Sequence, residues 1–346
     1  MRHGGRGRIE RPVPEEALPR ALPLTRHAMT TVHFLILPHL TLLDLAGPAE
    51  IFQAARRFGV DIELRYIGPV PAVGSSVGIG LAEIAPLPDS LPAGAILFIP
   101  GAADSRHDYQ RPEALAASAW LARVLTAEHT LCAVCSAALL AARAGVLDGR
   151  ECTTHFSLQQ RLASENPSLR VLPNRIFVRD GNVITSAGAA SGIDIALFLL
   201  ARLHGPALAA KVAELLVIYF HRDADDPQHS PWISFRGHEN PRIRAAQELI
   251  SKNPQRDWTV SHLASELHVG ERHLARLFRI HAGVSPSEYI RSLRVAASRQ
   301  MVRHTRLSME QIATACGFQS SEQMRRAWKR LGQPVPSSLR RAAVES

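Results

Sequence analysis

The chain lacks any apolar run long enough to cross a bilayer as a helix, so a helical membrane protein is excluded. Cysteine is scarce, with Cys132, Cys135, Cys152 and Cys316 among 346 residues. Their spacing makes no secreted disulfide framework, and a reducing cytoplasm is the compartment expected. The stretch Met1–Thr30 carries Arg but no apolar h-region, so no secretory signal peptide is expected. It holds Pro12, Pro14, Pro19 and Pro23 without a hydrophobic period. Residues 1–29 are therefore expected to be a disordered tail, with Met29 an alternative start. No metal site or cofactor is expected.

The composition is otherwise ordinary for a globular protein, 46% hydrophobic and 21% charged. The length favours two or three domains. Charge is unevenly spread. The formal net charge is +9, and Ser251–Ser346 alone holds 16 Lys and Arg against 7 Asp and Glu, a difference of +9. The rest of the chain is therefore neutral. A basic segment beside a neutral one is the electrostatic footprint of nucleic-acid binding; a solvated basic face is the alternative.

Between residues 30 and 222, short apolar runs alternate with helical patterns. Strands are expected at 32–37, 61–67, 95–99 and 130–134. A hairpin is expected at 175–178 and 182–186, joined by Asp180-Gly181. Helices are expected at 47–58 (opened by Pro48), 113–125, 136–144, 193–203 and 207–220. Alternation of this kind predicts an α/β domain of flavodoxin-like type with a mostly parallel sheet. Residues 223–240, rich in Pro, Asp, His and Ser, are expected to be a linker, and 241–346 an all-α domain.

In that last domain four stripes repeat one spacing, i, i+3, i+4, i+7. They are Val260, Leu263, Ala264, Leu267; Leu274, Leu277, Phe278, His281; Met309, Ile312, Ala313, Cys316; and Met324, Ala327, Trp328, Leu331. Val269 and Phe318 each follow their alanine, 264 and 313, by five positions, which marks an internal repeat. Two such helices separated by a short turn make a helix-turn-helix, whose second helix enters the major groove. Capping boxes are expected at Ser285 with Glu288, Ser308 with Gln311, and Ser320 with Gln323. The helix from Pro286 to His304, roughly 28 Å long at 1.5 Å per residue, would hold two recognition helices about one DNA turn apart, roughly 34 Å. Arg272, His273, Arg276 and Arg279 lie off the first stripe. Ser321, Gln323, Arg325, Arg326 and Lys329 lie off the second. Arg suits guanine and Gln suits adenine, while further Arg and Lys neutralise phosphates.

The stretches LASELHVGERHLARLFRIHAGVSPSEYI and IATACGFQSSEQMRRAW make residues 241–341 resemble the DNA-binding domain of the AraC/XylS family of transcription regulators. Two departures stand out. Met324 and Trp328 occupy positions where that family usually has Phe, and Gly332–Pro336 is one residue longer than its first-unit counterpart.

In the first domain, LCAVCSAALLAARAG puts Cys135 between a strand and a helix, the context of a nucleophile elbow. A helix N-terminus stabilises a thiolate there, and His155, in CTTHF, could serve as its base. A buried structural cysteine is the alternative reading of the same residue. The stretches FLILPHLTLLDLAGPAEIF, FIPGAAD, VCSAALLAARAGVLDGRECTTHF and ITSAGAASGIDIALFLL resemble the ThiJ/PfpI branch of the class I glutamine-amidotransferase-like superfamily. That resemblance implies that Cys135, His155 and Asp44 cluster. Ala137 stands where the branch commonly has Gly. The order of domains resembles GlxA-type transcription regulators, in which the first domain is a sensor and dimerisation unit and catalysis is not expected. The function expected is thus a DNA-binding regulator controlled by a small molecule. The ligand would sit near Asp44, Gly101, Cys135, Ser136, His155, Ser186 and Gly188, at the strands' carboxyl ends. The resemblance implies a nitrogenous metabolite as effector, and a homodimer, promoter DNA and RNA polymerase as partners. The rivals are a Cys135-dependent amidase or hydrolase, and a Cys135 redox sensor, either of which also binds DNA.

Overall fold

The computed structural model describes residues 29–340, apart from 219–221, 225, 334 and 338. The tail expected over residues 1–29 therefore lies outside the described residues, Met29 excepted. The chain divides into two compact units between Gln228 and His229.

The first unit is built on a seven-stranded sheet. Across it the strands run Phe177–Asp180, Val183–Ser186, Thr130–Val134, Ile96–Ile99, Thr30–Leu35, Ile62–Gly68 and Ala85–Pro86. All neighbours are parallel except the hairpin at one edge, where Asp180 pairs with Val183 around Gly181. Side chains alternate across the sheet and both faces are covered, as a parallel sheet requires. Val32, Phe34 and Ile36 pack one way, with the helices Leu42–Arg56, Ser191–His204 and Pro206–Leu215. Leu35 and Leu37 pack the other way, with Pro112–Val124 and Ala137–Arg143. The rings of Phe34 and Phe98 stack at 5.4 Å, tying the central strand to its neighbour.

Strand order reverses at Thr30–Leu35, whose two neighbours, Ile62–Gly68 and Ile96–Ile99, follow in opposite directions. That is the switch point at which open α/β sheets leave a crevice at the carboxyl ends. The first helix starts at Leu42, five residues before the expected Gly47, and Pro48 lies inside it. The earlier start puts Asp44 in the first helical turn instead of a loop. The helix expected to reach 220 ends at Leu215, with Val217 left-handed at φ 54° just beyond it; Phe220 lies outside the described residues. Several short pieces carried no sequence signal: the edge strand Ala85–Pro86, and two-residue pairings at Val73–Gly74 with Gly80–Leu81 and at Glu151–Cys152 with Arg170–Val171.

The second unit is helical. Pro241–Lys252 precedes two helix pairs, Val260–Glu266 with Glu271–Ala282, and Met309–Ala315 with Ser321–Arg330. The helix Pro286–His304 joins the pairs. Its first half gives Tyr289, Ile290 and Leu293 to one core. Its second half gives Val295 and Val302 to the other.

The segment expected as a linker, 223–240, contributes to both units. The Ile176 N–H donates to the carbonyls of Ala224 and Asp226, and Gln228 Nε2 donates to those of Thr154 (3.0 Å) and Arg175 (2.9 Å). Beyond the division, Trp232 and Phe235 pack on the core of the first helix pair. Such contacts come from backbone groups and isolated side chains, so they leave no periodicity in the sequence.

Candidate functional site

The strand Thr130–Val134 and the helix Ala137–Arg143 are nearly sealed from solvent, and the chain reverses between them within two residues. The reversal falls on Cys135, left-handed at φ 58°. A non-glycine residue pays roughly 1–2 kcal/mol for that conformation. Neighbours hold it there. The Cys135 N–H donates to the Ser186 carbonyl at 3.1 Å, and Thr154 Oγ1 donates to the Cys135 carbonyl at 2.8 Å. Ala137 opens the helix fully buried and without a left-handed φ, so Ala fits where Gly is common. Ser136 Oγ accepts the Ala102 N–H at 2.9 Å and lies 3.1 Å from the Tyr109 hydroxyl. Tyr109, Thr154 and Ser191 belong to this cluster too; Thr154 and Ser191 lie in the CTTHF and ITSAGAASGIDIALFLL stretches, whereas no motif announced Tyr109.

Asp44 is completely buried, and its Oδ2 accepts the Gly101 N–H at 3.0 Å. A Cβ on Gly101 would sit 2.9 Å from each of Asp44 Oδ2, Cys135 Cβ and Ser136 Oγ, so only Gly lets these groups meet. Gly188 closes the other side. At φ 127° it adopts a conformation reserved for Gly, and a Cβ there would lie 2.7 Å from the Cys135 sulfur. Its N–H donates to Ser191 Oγ at 2.8 Å. The structure therefore brings together Asp44, Gly101, Cys135, Ser136, Ser186 and Gly188. Asp44 Oδ1 and Ser186 Oγ are buried without a hydrogen-bond partner among the described residues.

His155 directly follows Thr154, whose hydroxyl holds the Cys135 carbonyl. It is half-buried, and its Nδ1 lies 2.7 Å from Ser157 Oγ as the cap of a short 3-10 turn. The groups that set the Cys135 thiol are others. Burial pushes it up to about 12 and the Asp44 charge adds to this, against the N–H groups of Ser136 and Ala189, which pull it down. Asp44 is itself raised to about 6 by burial, against the N–H groups of Gly101 and Ala189. Such a pair is a protonated thiol beside a carboxylate, the opposite of an activated thiolate.

In the second unit, caps define the helices. Ser285 with Glu288 and Ser308 with Gln311 form complete capping boxes. At Ser320 the box is half made: Ser320 Oγ accepts the Gln323 N–H, but Gln323 Oε1 accepts the Gln319 N–H instead, at 2.7 Å. The stripes also shorten. Leu274 and Phe278 are buried with Ala282, whereas His281 is exposed, and Leu331 is exposed as well. The last member of each stripe thus lies outside the core, although Ala282 still closes the first one.

Arg272, Arg276, Arg279, Gln323, Arg325, Arg326 and Lys329 are exposed and His273 is half-buried. Ser321 is not exposed. It is 3% accessible, and both its N–H and its hydroxyl donate to the Glu310 carboxylate. Arg325 reaches back to the Ser321 hydroxyl at 2.8 Å. Ser321 fastens the two helices of the second pair, which its position off the apolar stripe concealed. Trp328, one of the largest fully buried side chains, donates its Nε1–H to Ser298 Oγ at 2.9 Å. The linking helix thus satisfies the polar atom that Trp brings in place of Phe.

Among the described residues no helix is long and apolar enough to cross a membrane. Residues 30–202 match the DJ-1/PfpI family, and residues 263–342 match a helix-turn-helix domain. The HTH-type transcriptional regulator CdhR of Pseudomonas aeruginosa is 30% identical over 312 residues, 89% of this chain and 90% of that protein. The HTH-type transcriptional regulator GbdR of the same species is 27% identical over 302 residues, 86% of this chain and 81% of that protein. The isonitrile hydratase of Pseudomonas putida is 31% identical over 179 residues, 50% of this chain and 72% of that protein, so the first domain's relatives include an enzyme. With a DJ-1/PfpI domain followed by an AraC-type helix-turn-helix domain, and with full-length likeness to such regulators, this chain belongs to the GlxA-type family of helix-turn-helix transcription regulators.

Proposed function

We propose that the chain is a cytoplasmic transcription regulator that binds promoter DNA through both helix pairs, as a homodimer, and contacts RNA polymerase there. One observation carries this reading: each pair buries its own core while its second helix turns Arg and Lys outward. Arg272, His273, Arg276 and Arg279 read or grip one major groove. Gln323, Arg325, Arg326 and Lys329 do so in the next. Ser321 has no DNA role, since Glu310 occupies it. Footprinting of the full chain on DNA upstream of its own gene tests the reading. Protection at two positions about one helical turn apart, roughly 10 base pairs, is expected. Uniform or absent protection would contradict it.

We infer further that the first domain senses a small effector, a nitrogenous metabolite, and does no chemistry. The unpaired Asp44 Oδ1 and Ser186 Oγ support a ligand at the carboxyl ends of the strands. The likeness to an isonitrile hydratase supports the catalytic alternative, an amidase, hydrolase or related Cys135 enzyme. Against it stands a thiol raised to about 12 next to Asp44, which also disfavours a redox sensor. Replacing Cys135 with Ala separates these readings. Regulation that survives the change supports the sensor; loss of turnover of an amide or isonitrile substrate would establish the enzyme.

A further inference from the structure

A second concavity in the first unit lies away from the cysteine elbow. It is an open cleft of about 750 Å³ between the outer strands and the loop that follows residue 83. His33, Arg65 and Glu83 provide its polar wall, and Pro86, Leu87 and Leu91 are among its apolar ones. His33 and Arg65 are paired in register on adjacent parallel strands, so their side chains share one face of the sheet. They stand midway along their own strands, in one row with Leu97 and Leu131, the latter four residues before Cys135.

Three features of this cleft are unexplained by folding alone. The His33 imidazole is 2% accessible, yet its Nδ1 has no hydrogen-bond partner among the described residues. An orphaned buried donor or acceptor costs roughly 1–3 kcal/mol unless something satisfies it. The Arg65 guanidinium is tied through Nε to Glu63 at 2.9 Å, but about half of the side chain is open to solvent. Glu83, on the cleft wall, is left-handed at φ 61° without being Gly. Backbone strain of this kind gathers at ligand sites.

We propose that this cleft is a second small-molecule site of the sensor domain, and that its ligand is an organic carboxylate with an apolar body. Arg65 binds the carboxylate with its outer N–H groups, the geometry that guanidinium offers best. His33 completes the polar contact from the buried side. The apolar body lies on the Pro86, Leu87 and Leu91 wall. The volume suits a molecule of metabolite size, within the range of ordinary ligand pockets. Arg rather than Lys at the centre favours a planar anion over a spherical one. The site is independent of the one placed near Cys135, and its binding can be measured without DNA.

The test uses the full chain and three probes: 3-methylbutanoate, hexanoate and phenylacetate. Saturation-transfer NMR and titration calorimetry read the binding. At least one carboxylate should bind, and its neutral amide should bind at least about tenfold more weakly, the loss expected for one charged hydrogen-bonded contact. Arg65→Gln and His33→Phe should each lower affinity about tenfold or more, and Cys135→Ala should leave it unchanged. Unfolding midpoints of the variants guard against a folding defect. If His33→Phe fails to fold, Arg65→Gln on the half-exposed side chain still decides. No binding of any of the three acids would overturn the proposal. So would equal affinity for acid and amide, or loss of binding in Cys135→Ala with retention in Arg65→Gln.

Discussion

Asp44 is sealed from solvent beside the partly buried Cys135, and its charge makes the thiol harder to ionise. With the thiol raised to about 12, almost none of it is thiolate near neutral pH. Native protein at pH 7.5 should therefore alkylate with iodoacetamide at Cys135 far more slowly than free cysteine does, as mass spectrometry of the peptide would record; modification at the free-cysteine rate would contradict this. Asp44 leads to a stability prediction. Its carboxyl titrates at about 6 in the folded protein against 3.8 unfolded. The folded state thus binds more protons between those values, so stability is highest below pH 4 as far as this group is concerned. It falls as pH rises from about 4 to about 6, by about 3 kcal/mol at most. Asp44→Asn keeps an acceptor for the Gly101 N–H and removes the charge. Scanning calorimetry across that window should show its slope flattened relative to the parent; an unchanged slope would assign the shift elsewhere. Much of this site was legible from residue types at their spacing, because strand, small residues and helix around Cys135 leave little freedom. His155 was read as a base from position alone, whereas its Nδ1 is directed at Ser157. Tyr109 reaches the site through packing that no local pattern encodes.

At the scale of elements, helix existence was legible and helix ends were less so. The capping boxes at Ser285 and Ser308 formed as their sequence prescribes, since a cap is a local matter of four residues. Ser308→Ala should cost about 1 kcal/mol, read as a lower midpoint in chemical denaturation. The starts at Leu42 and the stop at Leu215 were misread because Pro48 is tolerated inside a helix and Val217 breaks one without Gly or Pro. Gly317 shows how a turn couples the two helix pairs. Its φ is 79°, and a Cβ there would lie 2.8 Å from the Gln255 carbonyl and 2.9 Å from Arg294 Nε. Arg294, on the linking helix, donates to the carbonyls of Pro254 and Arg256, so one arginine joins the first pair's entry to the second pair's turn. Gly317→Ala meets both a left-handed backbone and a collision, and should destabilise the second unit by about 2 kcal/mol or more. An unchanged midpoint would refute that account. Trp328→Phe removes the hydrogen bond to Ser298 Oγ, which keeps its bond to the Val295 carbonyl, and leaves a void, so it should cost about 1–3 kcal/mol in the same assay.

At the scale of the molecule, an acidic α/β unit, with 15 Lys and Arg against 19 Asp and Glu over residues 30–228, precedes a basic unit with 19 against 9 over 229–346. The division was visible as a shift in charge and in period, before any contact was known. What the sequence could not place was residues 223–240, whose contacts are distributed over both units. A ligand on the first unit regulates DNA binding by the second only if it binds one state of the whole better than another. The basic surface is the output, and its test is DNA affinity as a function of salt. Fluorescence anisotropy on upstream DNA should show log affinity falling linearly with log salt concentration, with a slope set by the phosphates neutralised. Arg276→Ala should weaken specific binding by about 1–3 kcal/mol if it contacts a base, while leaving the unfolding midpoint unchanged. Affinity that ignores both salt and the loss of Arg276 would contradict the claim that this chain binds DNA through its two helix pairs.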